Sequence, residues 1–301
     1  MVRNPTGFFK RNRRAILGSS FITIIAVNLL FTFNLIPYDL HIPGPYLAPK
    51  KWTLILEDEF NGSSINLSTW SYGYPPYGYN CFGHCHNHQG WMADNHTIVE
   101  NGLLRIKGDN YTHPDSLAYE PHYWGDNYLP LNYTTGAITS EGKFTIKYGY
   151  IEARQKMPEG PTGFWPAFWT FMSGGEPGSY SEIDIHEFYS GNDYKYETNL
   201  HTRGPDENLT SDHCAHYGLQ NLTAGFHVYG VEWHPNIIKF FFDNKEVYRI
   251  TNQDQLEHMA PQHIRINLAI GGAASTPDEN TIWPAWFETD WVRVYQFNEY
   301  L

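Results

Sequence analysis

From Trp52 to the end of the chain, apolar and polar residues alternate in short runs, and none keeps a helical period. The runs GAITSEGKFTIKYGYIEARQKM, FHVYGVEW, IIKFFFDNKEVYRI, HIRINLAIGG and DWVRVYQF are examples. A period of two places every second side chain on one face of a strand. The DNK between two apolar runs marks a hairpin turn. There is no internal repeat and no low-complexity segment. Many short strands across residues 51–301 predict a single all-β sandwich domain.

One stretch breaks the apolar pattern. SYSEIDIHEFYSG, residues 179–191, carries Glu182, Asp184 and Glu187 inside what reads as a buried strand. Glu182 and Asp184 share one face, and Ile183 and Ile185 share the other. Glu187 and Phe188 both have the wrong parity. One extra residue near Ile185–His186, a β-bulge, returns Glu187 to the acid face and Phe188 to the apolar face. Three adjacent carboxylates repel one another. They make sense as a calcium site, as a solvated face, or as paired acids for glycoside hydrolysis. In the last case one acid attacks the anomeric carbon, and the other protonates the leaving oxygen and then deprotonates water. The middle Asp can bond to the nucleophile and help keep the acid's pKa raised.

Composition bears on the same question. Aromatic residues make up 17% of the chain, with ten Trp, 22 Tyr and 18 Phe. That exceeds what a core needs, and exposed aromatic rings suit the C–H faces of sugars. A formal charge of −12 argues against nucleic acid as a partner, which requires basic patches.

The N-terminus differs from the rest. Residues 1–14 form a basic tail with Arg3, Lys10, Arg11, Arg13 and Arg14 and no acid. Residues 15–36, AILGSSFITIIAVNLLFTFNLI, are uncharged and long enough to span a bilayer as a helix. No small-residue cleavage site follows, so the segment reads as a transmembrane signal-anchor, with a signal peptide as the alternative. Asn28 and Asn34 weaken the anchor reading. The basic flank predicts a cytoplasmic tail and an extracellular or lumenal remainder, a single-pass type II arrangement; a cleaved signal would give a secreted protein. Residues 37–50 hold four prolines and read as a stiff linker. Seven N-x-S/T sequons, at Asn61, Asn66, Asn95, Asn110, Asn132, Asn208 and Asn221, support an exported glycoprotein. Chance would give roughly two or three.

CFGHCHNHQGW, residues 81–91, has the residue types of a metal site, but its spacing matches no standard zinc pattern. An oxidising compartment favours disulfides, and Cys81, Cys85 and Cys214 allow one bond and one spare thiol. The pairing stays open.

The ordered set LEDEFNG, TTGAITSEGKFTIKYGYIEARQKMP, GFWPAFW, EIDIHE, HVYGVEW, INLAIGG and DWVRVYQF resembles glycoside hydrolase family 16, from about Trp52 to Phe297. The resemblance implies a concanavalin A-like jelly roll with substrate across a concave sheet. It implies Glu182 as nucleophile, Asp184 as helper and Glu187 as acid/base. The E-x-D-x-x-E form, with its extra residue, resembles the laminarinases, and also the agarases and carrageenases. GFWPAFW followed by that form resembles the endo-1,3-β-glucanases most. Trp165 and Trp169 share a parity and can both face the cleft, although Trp is as often core. The resemblance favours Trp165 as a sugar platform and adds Trp233 as a second. It makes Arg154 a contact to sugar hydroxyls, with an exposed strand arginine as the alternative. His201 follows the acid strand and can line the leaving-group side, or be core. The family's acid-containing stretch near residues 83–91 is missing here, which leaves the specificity of that side open. No cofactor is implied for catalysis. A structural calcium is, with Glu59, Gly102 and Asp290 as its candidate ligands.

The implied function is a retaining endo-hydrolase of β-1,3-glucan. A wall-glucan transglycosylase and a non-catalytic glucan-binding protein on the same fold are the alternatives. Both catalytic glutamates are intact, which disfavours the last. A sulfated-galactan hydrolase would want basic residues. Of 20 Lys and Arg, five lie in the first 14 residues, which leaves 15 against 32 acids.

Overall fold

The computed structural model describes residues 52–73, 88–118, 131–205 and 207–301. Residues 1–51, with the tail, the apolar segment and the linker, lie outside the described residues, as do Cys81 and Cys85. Among the described residues no helix is long and apolar enough to cross a membrane.

Seventeen strands are described. In chain order they are β1 (Trp52–Asp58), β2 (Ser71–Tyr72), β3 (Gly90–Met92), β4 (Thr97–Glu100), β5 (Leu103–Gly108) and β6 (Tyr133–Thr135). Next come β7 (Ala137–Thr139), β8 (Gly149–Lys156), β9 (Phe164–Met172), β10 (Tyr180–Glu187), β11 (Lys195–Arg203) and β12 (Thr210–Tyr217). The last are β13 (His227–His234), β14 (Ile237–Phe242), β15 (Lys245–Ile250), β16 (Gln262–Ile270) and β17 (Ala285–Phe297). One antiparallel sheet runs β12-β11-β10-β9-β16-β7-β2. The other runs β15-β14-β13-β8-β17-β5-β4, with β1 also on β17. The predicted DNK hairpin joins β14 to β15 through Asp243 and Asn244, at φ 46° and 64°. Short polar side chains tolerate that left-handed pair, whose twist matches the flanking strands.

The core fills the space between the sheets. Ile183, Ile185, Phe188 and Leu200 from one sheet meet Tyr229, Val231, Phe287 and Val292 from the other. Each such side chain contributes about 1.5–3 kcal/mol on burial.

The bulge lies where parity demanded it. Asp184 pairs with Trp169 and His186 with Phe168, so Ile185 is the extra residue against β9. Against β11, Asp184 pairs with Asn199 and Glu187 with Glu197. Ile185 and His186 therefore both turn inward. His186 is fully buried, and its Nε2 lies 2.7 Å from Gln155 Oε1 of the opposite sheet. Burial holds this imidazole neutral, with its pKa pushed down to about 3 from 6.5. An unfolded histidine takes up a proton below about pH 6.5, and the folded one does not. This group therefore stabilises the fold above that pH and loses its contribution as pH falls toward 3. Melting temperature plotted against pH from 6.5 down to 4 is expected to fall less steeply for His186→Gln than for wild type. Equal slopes would contradict a buried neutral histidine.

Candidate active site

Strand alternation and the bulge put Glu182, Asp184 and Glu187 on the face of the seven-stranded sheet that looks away from the core. There they line a cavity of about 290 Å³ with Trp165, Trp169, Tyr180, Tyr189, Asn199, His201 and Asn267. The neighbouring strands supply these side chains by register. Asn199 and His201 on β11 lie opposite Asp184 and Glu182. Trp169 on β9 lies opposite Asp184 on one side and Arg265 of β16 on the other.

Each acid has its own surroundings. Glu187 Oε2 accepts from Asn199 Nδ2 at 2.7 Å, and Oε1 accepts from Trp165 Nε1 at 3.1 Å. These donors favour the carboxylate, as does a bond from the Tyr189 hydroxyl, but burial outweighs them and raises the pKa. Burial thus moves Glu187 in the direction a general acid needs.

Asp184 is 4% exposed, and its pKa is raised well above the usual range by burial and by the Glu187 charge. It also shares a hydrogen bond with Glu182. That bond acts to lower the Asp184 pKa, so it favours the Asp184 carboxylate. His201 Nε2 lies 3.3 Å from Asp184 Oδ2, and its Nδ1 lies 2.6 Å from Ser211 Oγ. Burial and the Asp184 charge push Glu182 up to about 8, opposed by His201 and by a bond from the Tyr180 hydroxyl. Ligand atoms of Glu182, Asp184 and His201 lie within 4.8 Å of one another, the one such cluster of three among the described residues.

The two cleft tryptophans have separate partners. Trp165 packs against Tyr189, with ring centroids 5.5 Å apart. Trp169 donates from Nε1 to Asn267 Oδ1 at 2.8 Å, and the Arg265 guanidinium lies 4.9 Å from its ring centroid.

Two expected sugar contacts belong elsewhere. Trp233 is on β13 of the opposite sheet, 2% exposed, edge-on to Tyr148 at 5.0 Å. It shares parity with the buried Tyr229 and Val231, so it is a core residue. Arg154 is on β8 of the same opposite sheet. It bonds Asp290 and lies 4.9 Å over the ring of Phe226. Its neighbours Ala153 and Gln155 take the buried face, so Arg154 points outward, away from the cavity.

The expected calcium ligands do not fit a cation either. Glu59 is bonded by the Arg293 guanidinium at 2.5 Å, and Asp290 is bonded by Arg154. Both carboxylates are already neutralised by arginines. Gly102 sits in the β4–β5 turn at φ 74°. Cys214 lies on edge strand β12 and has no disulfide partner among the described residues. Tyr180, Tyr189, Asn199 and Asn267 were not foreseen, although Tyr180 shares the parity of Glu182, and Asn199 that of His201.

A row of carboxylates crosses one sheet of the β-sandwich, with the outer two separated by a bulge and tryptophans alongside, the residue types that glycoside hydrolysis uses. The chain belongs to glycosyl hydrolases family 16, whose family model matches residues 86–293. It is 29% identical over 266 residues to a glucan endo-1,3-beta-glucosidase A1 of Niallia circulans, covering 81% of this chain and 38% of that protein. It is 28% identical over 271 residues to a beta-glucanase of Rhodothermus marinus, covering 82% and 86%. A keratan-sulfate endo-1,4-beta-galactosidase of Sphingobacterium multivorum is 30% identical over 272 residues, covering 83% and 56%. The chain thus spans less than half of the first relative's length. Among solved structures, the laminarinase catalytic domain of Thermotoga maritima MSB8 superposes with a TM-score of 0.67 at 27% identity, covering 82% of this chain and 98% of that one. The endo-beta-1,3-glucanase of Pyrococcus furiosus gives 0.64 at 30%, covering 83% and 96%. These likenesses accord with an antiparallel jelly-roll sandwich.

Proposed function

We propose that the chain cleaves internal β-1,3 linkages of a laminarin-type glucan by double displacement. Glu182 acts as nucleophile, Asp184 as its helper and Glu187 as acid/base. One observation carries the reading. The two outer carboxyls of a single bulged strand have different surroundings, with Glu182 accepting from the Tyr180 hydroxyl and Glu187 from Asn199 and Trp165. Divergent environments assign divergent roles. Trp165 and Trp169, 7% and 2% exposed, line the cavity beside the acids.

Incubating the purified chain with laminarin, mixed-linkage glucan, agarose and keratan sulfate, and sizing the fragments, tests the substrate. Laminari-oligosaccharides as the main early products are expected. Cleavage confined to a galactan would overturn the glucan reading, and elongation of an acceptor at the expense of hydrolysis would favour the transglycosylase.

The exported, membrane-anchored arrangement belongs to the same proposal. Six of the seven sequon asparagines are exposed, and the seventh, Asn221, is half-buried. Material expressed in a glycosylating host is expected to lose mass on treatment with an N-glycan-removing amidase and to keep residues 1–36. A mature terminus near residue 37 would defeat the anchor.

A further inference from the structure

We propose that Tyr180 is a positioning residue for the nucleophile, holding Glu182 through one carboxylate oxygen so that the other faces the anomeric carbon. The inference rests on the assignment of Glu182 as nucleophile. Tyr180 opens β10, two residues before Glu182 and on the same face. Its hydroxyl donates to Glu182 Oε2. The attacking atom is then Oε1.

The ring is itself held. Tyr180 is half-buried and meets Phe171 edge-on, with centroids 5.3 Å apart and planes at 80°. Phe171 lies opposite Glu182 in the sheet. Behind it, His263 packs against the Phe171 ring at 5.9 Å, and the Arg265 guanidinium lies 4.7 Å from its centroid. Arg265 also bonds His263 and Glu141. The donor therefore rests on a backed aromatic wall, and its aim is fixed before substrate arrives. Burial and the Glu182 charge push the phenol far above its ordinary range, so it stays a donor at every working pH.

The chemistry gives the bond two uses. In the first step Oε1 bonds to the anomeric carbon, the glycosidic bond breaks, and the Glu187 proton passes to the leaving oxygen. In the second, water loses its proton to Glu187 and bonds to the anomeric carbon, and the Oε1–carbon bond breaks. Charge returns to the Glu182 carboxylate in that second step, where a donor on Oε2 stabilises it. The hydrogen bond also favours ionised Glu182. The other groups facing Glu182 are Asp184 and Glu187 on its own strand, His201 on β11, and Arg265 and His263 beyond the uncharged Phe171 and Trp169. Asp184 and Glu187 oppose ionisation and His201 favours it.

The test is Tyr180→Phe in the full chain, with a melting curve to show that it folds. The kcat on laminarin is expected to fall about 10²-fold, the scale for loss of one preorganised donor, with KM little changed. The acidic limb of kcat/KM should move up by about one pH unit as Glu182 loses a donor. In a Glu182→Ser background given an α-laminaribiosyl fluoride donor, Tyr180→Phe should change the coupling rate by less than about twofold, since coupled effects vanish with the partner. An unmoved acidic limb, or the same loss in the serine background, would overturn the role. A 2-deoxy-2-fluoro laminaribiosyl donor separates this proposal from the one beneath it. If wild type is not labelled on Glu182, the nucleophile assignment fails and this role fails with it. If wild type is labelled and Tyr180→Phe is labelled at the same rate, this role alone fails.

Discussion

Replacing Glu182 by serine is expected to reduce laminarin hydrolysis by more than about 10⁴-fold, the scale on which removing a covalent nucleophile acts in other enzymes. The loss follows from the geometry. Glu182 is the acid at the Tyr180 end of the row, accepting from the Tyr180 hydroxyl, and no other carboxylate shares that position. Serine leaves a gap beneath the anomeric carbon while Glu187 keeps Asn199 and Trp165. An α-laminaribiosyl fluoride fills that gap with the configuration of the covalent intermediate. The variant is therefore expected to join this donor to an acceptor without hydrolysing the product, a gain that thin-layer chromatography can follow. Coupling by wild type only, or residual hydrolysis within tenfold of wild type, would remove Glu182 from the mechanism.

The same residue makes a prediction about stability. Glu182 is raised to about 8 in the folded state from 4.5. Its proton-linked stabilisation is fully present below about pH 4.5 and is lost as pH rises through 8. Glu182→Gln keeps the shape without the charge. The inactive variant should melt higher than wild type at pH 8, by a few degrees on the scale of about 2–4 °C per kcal/mol, and the gap should shrink toward pH 5. A site that destabilises its own fold is the usual consequence of gathering like charges for catalysis.

Replacing Glu187 by alanine is expected to cost about 10²–10⁴-fold in kcat on laminarin, the range for general acid–base catalysis. The size of the loss should depend on the leaving group. Natural glucan leaves as an alkoxide and needs the proton. A dinitrophenyl glycoside leaves without help, so its first step should be nearly intact and its covalent intermediate should accumulate. Azide, which needs no base, should then rescue turnover and give a β-glycosyl azide. The basic limb of the wild-type pH profile belongs to Glu187, whose carboxyl is raised by burial and is useless as an acid once ionised. In Glu187→Ala that limb should disappear. A variant with wild-type rates would show that the acid lies elsewhere on the sheet.

How much of this was legible in the chain depended on which physical rule each residue obeyed. Alternation located the acids because a strand repeats every two residues, and the parity failure at Glu187 and Phe188 revealed the bulge at Ile185–His186. Parity gives a face within a sheet, but it does not say which sheet a strand joins. Arg154 and Trp233 failed for that reason. Each sits on a strand of the other sheet, one pointing to solvent and the other into the core. Trp165 and Trp169 lie on a strand next to the acids, and there parity sufficed. Glu59 and Asp290 are candidate ligands only through the resemblance, by their places just after the first strand and on the last. Their arginine partners, Arg293 and Arg154, come from 234 and 136 residues away, and no local pattern reveals such pairs. Tyr180 stood inside the acid motif, but a phenol two residues from a carboxylate acquires meaning only when its ring is packed and aimed.

Two carboxylates four effective positions apart on a flat strand would stand about 13 Å apart, too far for either stereochemical course. Retention requires about 5–5.5 Å and inversion roughly 6.5–9.5 Å, so the way the two acids lean toward each other over Asp184 decides the outcome. Proton NMR of the first-formed product from a β-linked laminari-oligosaccharide reads that outcome before mutarotation blurs it. The β anomer appearing first is the result expected of double displacement through Glu182. The α anomer appearing first would contradict it and would require a water, not a carboxylate, to attack the sugar.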